Sequence, residues 1–225
     1  MVFSSSLELA KEEPIIFLPK LVSVTISSLW IIGLINSIGE LYLYFVILPL
    51  IIYLSFFTSV LVASMADKPE NNLKKHLLDV YELKYLLGGL LLALFLLNIF
   101  TAIPLLLGAF LILETSYTIL GSLISILSIV LVLAIAFYLY FIPIAFIKKK
   151  KINSTLRDSY KISSNHSKEV FIIFLVSILL LVIAQASEGL FQSIGYIGFI
   201  LARMVESLVS TYIFILGSKF YLEKS

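Results

Sequence analysis

The chain alternates long runs of apolar side chains with short polar segments, and this alternation predicts its secondary structure. Six runs are long enough for a helix that crosses the roughly 30 Å hydrocarbon core of a bilayer, which takes about 20 residues. The six predicted spans are Ile15–Ile38, Leu41–Ala66, Leu86–Leu113, Tyr117–Ile147, Val170–Ala186 and Tyr196–Ser218. The pattern therefore predicts an all-α integral membrane protein, with residues 1–225 in one transmembrane domain. Pro49 and Pro104 lie inside the second and third spans, and each predicts a bend because it removes a backbone donor.

Apolar residues occupy every side of the predicted helices. Leu86–Leu97 reads LLGGLLLALFLL and Ile126–Phe137 reads ILSIVLVLAIAF. A membrane-spanning strand would instead show alternation with a period of two, so the strand alternative fits poorly. The beginning of the chain lacks the basic region and the cleavage site of a secretory signal peptide. The first span is therefore expected to be retained.

Composition agrees with a lipid environment. Apolar residues make up 60% of the 225 residues and charged residues 13%, with a mean hydropathy of +1.09; a soluble domain averages about 45–50% and about 25%. The chain has no Cys, which excludes disulfides, thiolate nucleophiles and Cys-based metal sites. Its two histidines, His76 and His166, lie in polar segments, where we expect them to be solvated. No metal site and no cofactor is predicted.

Basic residues lie on one side of the predicted spans. Fifteen of the sixteen Lys and Arg fall in four segments, the first of which holds Lys11 and Lys20. The three turns between these segments carry Glu40, Glu114 and Glu188 and no basic residue. By the positive-inside rule, both termini and the two long loops face the cytoplasm of a multi-pass protein of the cell membrane.

The turns also divide the chain into three similar parts. The three turn glutamates follow one another at intervals of 74 residues, so the spans pair into three hairpins. The approximate units are 1–66, 67–147 and 148–225. Because the turns share little sequence, the internal repeat rests on spacing alone.

Each hairpin is preceded by a charged segment that predicts a cytoplasmic amphipathic helix. One face of the second of these helices holds Leu73, Leu77, Val80 and Tyr81, and the same spacing recurs in the third at Ile152, Leu156 and Tyr160. Such helices lie in the interface plane, with apolar side chains among acyl chains and cations near anionic head groups. They either frame the spans or form a surface for a specific lipid or a protein partner.

A few charged residues are candidates for function. Arg203 and Glu206 lie inside the sixth span at a spacing that allows a local ion pair, which either fixes helix packing or has a functional role. The turn glutamates Glu40, Glu114 and Glu188 could form an acidic ring that attracts cations, or simply follow from the exclusion of basic residues outside. The tetralysine Lys148–Lys151 directly follows a span and is interpreted as a membrane anchor, not as a nucleic-acid site.

The chain carries no recognisable catalytic motif. It has no G-x-S-x-G, H-E-x-x-H or phosphate-binding loop. Polar residues within the spans are sparse, which disfavours solute transport. We therefore expect a non-enzymatic accessory or scaffold protein that engages inner-leaflet lipid or a partner subunit through its amphipathic helices. The alternatives are the permease subunit of an ATP-driven exporter, with residues 73–85 against the ATPase, and a small cation channel.

Three segments carry a resemblance to a known group of proteins. They are Ser6–Lys11 (SLELAK), Thr155–Ile162 (TLRDSYKI) and Gly217–Tyr221 (GSKFY). In these segments and in its layout, the chain resembles prokaryotic six-span proteins related to the membrane domain of some glycerophosphoryl diester phosphodiesterases. The resemblance implies a membrane-embedded accessory role and no catalytic residues.

Overall fold

A computed structural model describes residues 2–36, 41–114 and 117–225 of the chain. Within these ranges the regular elements are all helices. The α-helices are α1 (Val2–Glu12), α2 (Leu18–Asn36), α3 (Leu41–Asp67), α4 (Leu73–Glu82), α5 (Lys84–Glu114), α6 (Thr118–Tyr138), α7 (Ile142–Lys149), α8 (Ile152–Asn165), α9 (Ser167–Phe191) and α10 (Gly195–Lys224). Short 3₁₀ helices at Pro14–Phe17 and Gln192–Ile194 precede α2 and α10.

Six helical segments in the described ranges are long and apolar enough to cross a membrane. They are Pro14–Ile35, Phe45–Asp67, Lys84–Leu113, Thr118–Lys149, Ser167–Phe191 and Gly195–Lys224. This confirms the predicted all-helical class and the six long apolar segments. We refer to these segments as the spans.

The fourth span consists of two helices, whereas the apolar run Tyr117–Ile147 predicted one continuous helix. α6 ends at Tyr138 and α7 begins at Ile142. The physical reason is Pro143, which lacks an N–H and whose ring would clash with the carbonyl of Leu139 in a continuous helix. The Leu139 carbonyl accepts a shorter-range bond from the amide of Ile142 instead, at 3.1 Å.

Hydroxyl groups of α8 satisfy the backbone at this break. The Ser159 Oγ donates to the carbonyl oxygen of Tyr138 at 2.9 Å and accepts the amide of Phe141 at 3.2 Å. The Ser163 Oγ donates to the carbonyl oxygen of Phe137 at 3.2 Å. Both serines are wholly buried. α8 is thus joined to the fourth span by hydrogen bonds as well as by packing.

The main apolar core lies at the end of the bundle where α3, α7 and α10 finish, beside α1, α4 and α8. We call this the basic end, because the tetralysine Lys148–Lys151 lies there at the end of α7. One buried cluster joins Leu9 of α1, Val62 of α3, Val80 of α4, Phe146 of α7 and Ile215 of α10. The short helices therefore cover the ends of the spans and contribute to the core.

Away from the basic end, α5 and α6 pack chiefly on each other. Their backbones approach closely at two glycines, since a Cβ added to Gly121 would lie 2.7 Å from the carbonyl oxygen of Gly108. The outer surfaces of the two helices are exposed and apolar, as at Leu113, Ile119 and Leu127. Such surfaces suit contact with lipid tails.

Candidate intramembrane binding cavity

α2, α3 and α10 pack against one another, and each carries polar side chains three or four residues apart. These are Lys20, Ser23 and Ser27 on α2, Ser55 and Ser59 on α3, and Arg203, Glu206, Ser207 and Ser210 on α10. Residues at this spacing share one helix face. All nine line a single cavity of about 710 Å³, to which α5 contributes Asn98. The tertiary structure therefore brings together, in one place, polar residues that are sparse along each span.

Lys20 lies inside this site. It is only 5% exposed, and its Nζ donates to the carbonyl oxygen of Ser55 at 2.8 Å and to the Ser59 Oγ at 2.6 Å. The Nζ also lies 4.8 Å from the centroid of the Phe214 ring. The side chain of Lys20 is therefore directed into the bundle from the first turn of α2, and its assignment to the cytoplasmic side stays a prediction.

Arg203 and Glu206 form an ion pair along α10. The Arg203 Nη1 donates to the Glu206 Oε2 at 2.6 Å. Each side chain is about one-third exposed, and both line the cavity. Charges at this depth are expensive in a bilayer, and pairing lowers that cost. Because Lys20 lines the same cavity, one carboxylate faces two cations there.

Two polar atoms of cavity-lining residues have no hydrogen-bond partner within the described part of the chain. They are the Arg203 Nε and the Ser207 Oγ. A buried polar atom without a partner costs about 1–3 kcal/mol, and native proteins hold few of them. Both atoms belong to the same stretch of α10, so the hydrogen-bonding capacity of this site is not exhausted by the protein.

An almost wholly apolar groove of about 540 Å³ adjoins the cavity between α3 and α5. Ile52, Leu91 and Phe95 line both the groove and the cavity. Gly88 forms part of the groove, and a Cβ added to it would meet no atom within 4 Å. The cavity therefore lies next to an open apolar space, and the two share three lining residues.

The side chains of the three turn glutamates lie outside the described part of the chain. Glu40 lies outside the described residues, and of Glu114 and Glu188 only the backbone is described. An acidic ring at the outer turns therefore stays a prediction.

Two lysines of the tetralysine, Lys148 and Lys149, pair with acids of other helices. The Lys148 Nζ lies 2.6 Å from the Oδ1 of Asp67, at the end of α3, and the Lys149 Nζ lies 3.5 Å from the Oδ1 of Asp158 on α8. The hydroxyl of Tyr221 on α10 donates to the other oxygen of Asp158. These contacts tie four helices together at the basic end, in addition to any anchoring role of the lysines.

The helices α4 and α8, which we call the surface helices, leave most of the predicted interface residues exposed. Leu77, Tyr81 and Tyr160 are between 40% and 56% exposed, whereas Leu73 and Leu156 are half-buried against the core. Their orientation at the basic end leaves the exposed side chains available to lipid or to another protein.

His76 is on the buried side of α4, so the expectation that it is solvated is wrong. It is 1% exposed. Its Nε2 donates to the carbonyl oxygen of Lys68 at 3.1 Å, which leaves Nδ1 as the acceptor of the Ser64 hydroxyl at 2.9 Å. Burial lowers the pKa of His76 below its ordinary 6.5, against the opposing influence of the nearby Asp79 and Glu70 carboxylates. The folded protein thus holds His76 in its neutral form.

We predict that acidification below pH 6.5 destabilises the protein through His76. In that range the unfolded chain binds a proton that the folded chain does not, so the free energy of unfolding falls as the pH falls, by at most about 1.4 kcal/mol per pH unit. Detergent unfolding titrations between pH 7.5 and 5.5 measure this slope. His76→Asn should show a shallower slope, and an equally steep one would contradict the assignment.

Comparisons of the chain with protein-family models, with curated proteins and with solved structures find no match. The resemblance to the phosphodiesterase membrane domain therefore stays a prediction.

A signal for the cavity was present in the sequence, since the polar residues of α2, α3 and α10 recur with helical spacing. No single span shows that these three faces meet, because that depends on which sides of the helices pack together.

Proposed function

We propose that this chain is a non-enzymatic, multi-pass membrane protein of the permease kind, which takes a polar or amphiphilic ligand into the cavity between α2, α3, α5 and α10. The observation that carries the proposal is the gathering of Lys20, Arg203 and Glu206 around one cavity of about 710 Å³. That volume lies in the range of about 300–1,000 Å³ that small-molecule sites occupy.

The cost of the charges supports a role in binding. A pair that served only to fix helix packing could be closed in by apolar side chains, whereas Arg203 and Glu206 stand one-third exposed at a cavity. A second cavity of about 320 Å³ adjoins the first, and both are lined by Ser59, Asn98 and Phe214. The cavity therefore has a second space beside it, lined mostly by apolar residues, which would be a next step in the passage of a ligand.

The charged side chains that line the larger cavity help to distinguish a permease from a cation channel. Of the described residues that line the larger cavity, Lys20 and Arg203 are cationic and Glu206 is anionic. A site with a cationic excess repels free cations, which favours the permease over the cation channel.

The surface helices support a second candidate, the accessory role through inner-leaflet lipid or a partner subunit. Leu77, Tyr81 and Tyr160 expose apolar area beside basic side chains at the basic end. In this proposal the basic end is cytoplasmic, the protein resides in the cell membrane, and three hairpins, each led by an amphipathic helix, repeat along the chain. A surface of this kind could also hold the ATPase subunit of an exporter.

Cysteine labelling tests whether the cavity is open to water. Because the chain has no native Cys, single substitutions give an unambiguous signal. Ser55→Cys and Ser210→Cys place a thiol in the cavity lining, and Leu127→Cys places one on the exposed apolar surface of α6. Thiols react as thiolates, which form only where water or a cation stabilises the charge.

We expect a small charged methanethiosulfonate to modify the two cavity thiols in reconstituted vesicles and to leave the α6 thiol unmodified. A difference between addition from one face and from the other would show from which side the cavity opens. Equal rates at all three positions, or no reaction in the cavity, would contradict the proposed function.

A further inference from the structure

We propose that the cavity binds the anionic head group of an amphiphile whose alkyl chain lies in the apolar groove between α3 and α5. This inference rests on the proposed function and names the class of its ligand. It is carried by the polar atoms and charges of the cavity and, independently, by the apolar groove that lies next to the cavity and shares lining residues with it.

The cavity offers positive charge and unused donors to an anion. Lys20 and Arg203 face only one carboxylate, that of Glu206, among the described lining residues. The Arg203 Nε has no acceptor, although its neighbour Nη1 is bonded to Glu206. A phosphate or carboxylate oxygen would supply that acceptor, since the guanidinium fork suits planar or tetrahedral oxyanions. The Ser207 hydroxyl, 2% exposed and also without a partner, is a further donor.

The groove distinguishes an amphiphile from a free anion. An inorganic anion would occupy the polar cavity and leave the groove to bulk lipid. An alkyl chain attached to the bound head group would pass Ile52, Leu91 and Phe95, which line both spaces, and reach the open volume at Gly88. One molecule with an anionic head and an apolar tail thus matches both neighbouring spaces.

Binding of defined probes to the intact chain tests this assignment. We would compare dodecyl phosphate, inorganic phosphate and dodecyltrimethylammonium at matched concentrations in neutral maltoside micelles, reading the thermal unfolding midpoint and the heat of titration. The expected result is stabilisation by dodecyl phosphate alone. Equal stabilisation by inorganic phosphate would overturn the amphiphile in favour of a free anion, and equal stabilisation by the cationic amphiphile would overturn anion recognition.

Two variants address the head-group site and the groove separately. Arg203→Gln should weaken dodecyl phosphate binding by about tenfold or more, because it removes a charge-assisted hydrogen bond, whereas the exposed Lys74→Gln should not change it. Gly88→Leu places a side chain in the groove, where an added Cβ meets no atom within 4 Å, and should weaken binding of the same probe. Its matched control is Gly33→Leu on α2, where an added Cβ also meets no atom within 4 Å.

Unchanged affinity in Gly88→Leu would overturn the place of the alkyl chain, and unchanged affinity in Arg203→Gln would overturn the head-group site. If Arg203→Gln fails to fold, the probe comparison and the two glycine variants still decide the question. Failure of all probes to bind, together with normal labelling of the cavity cysteines, would overturn this inference and leave the proposed function standing. Failure of that labelling would count against the proposed function itself.

Discussion

Replacing Ser159 by alanine is expected to lower the free energy of unfolding by about 2–4 kcal/mol, the largest effect that we predict for a single substitution. The Ser159 Oγ bridges the carbonyl of Tyr138 and the amide of Phe141 at the break between α6 and α7. Alanine would leave the amide without this acceptor and the carbonyl with only a 3.4 Å bond from Ser163. No other protein group is bonded to that amide in the described residues, and the site is fully buried.

Unfolding titrations of the purified protein in mixed micelles containing dodecyl sulfate measure this loss. The matched control is Ser154→Ala, an exposed position on the same helix, which should change stability by less than about 0.5 kcal/mol. Similar losses for the two variants would mean that the hydroxyl bridge contributes little and that α8 is held by packing alone.

Replacing Glu206 by glutamine is expected to lower the free energy of unfolding by about 2–3 kcal/mol. Glutamine keeps the size of the side chain but removes the carboxylate that faces both Arg203 and Lys20. The guanidinium of Arg203 would then lie in an intramembrane cavity, beside the basic side chain of Lys20, without a compensating charge. The loss is placed below that of a fully buried pair, because each partner is about one-third exposed.

The outer-turn variants Glu114→Gln and Glu188→Gln are the comparison set, and both should be less destabilising than Glu206→Gln in the same titration. The double variant Arg203→Gln with Glu206→Gln should recover part of the lost stability, since it removes the uncompensated guanidinium. Equal stability of the Glu206 and outer-turn variants, or a double variant weaker than either single one, would contradict this account of the ion pair.

Part of the cavity could be predicted from the sequence and part could not. Arg203 and Glu206 stand out as charges within an apolar run, and their three-residue spacing already indicates an ion pair. The burial of Lys20 could not be predicted, because a lysine near the predicted start of a span commonly extends to the interface. Its burial depends on Ser55 and Ser59, which belong to another helix and are not adjacent to it in sequence.

The surface helix α4 was likewise predictable in part from the sequence. Periodicity predicted an amphipathic α4 with Leu73, Leu77, Val80 and Tyr81 on its apolar face. The structure buries Val80 and half-buries Leu73, but it leaves Leu77 and Tyr81 exposed and buries His76 instead. The burial of His76 depends on hydrogen bonds to Ser64 and to the Lys68 carbonyl, which the helical pattern of α4 does not contain.

Length and hydropathy are local properties of each segment, so they suffice to predict a helical chain with six segments apolar enough for a membrane. Tertiary structure decided where the fourth segment breaks, which charge enters the bundle, and that three polar faces enclose one cavity. Those outcomes depend on which helix sides meet, and packing and hydrogen bonding between segments distant in sequence select that arrangement.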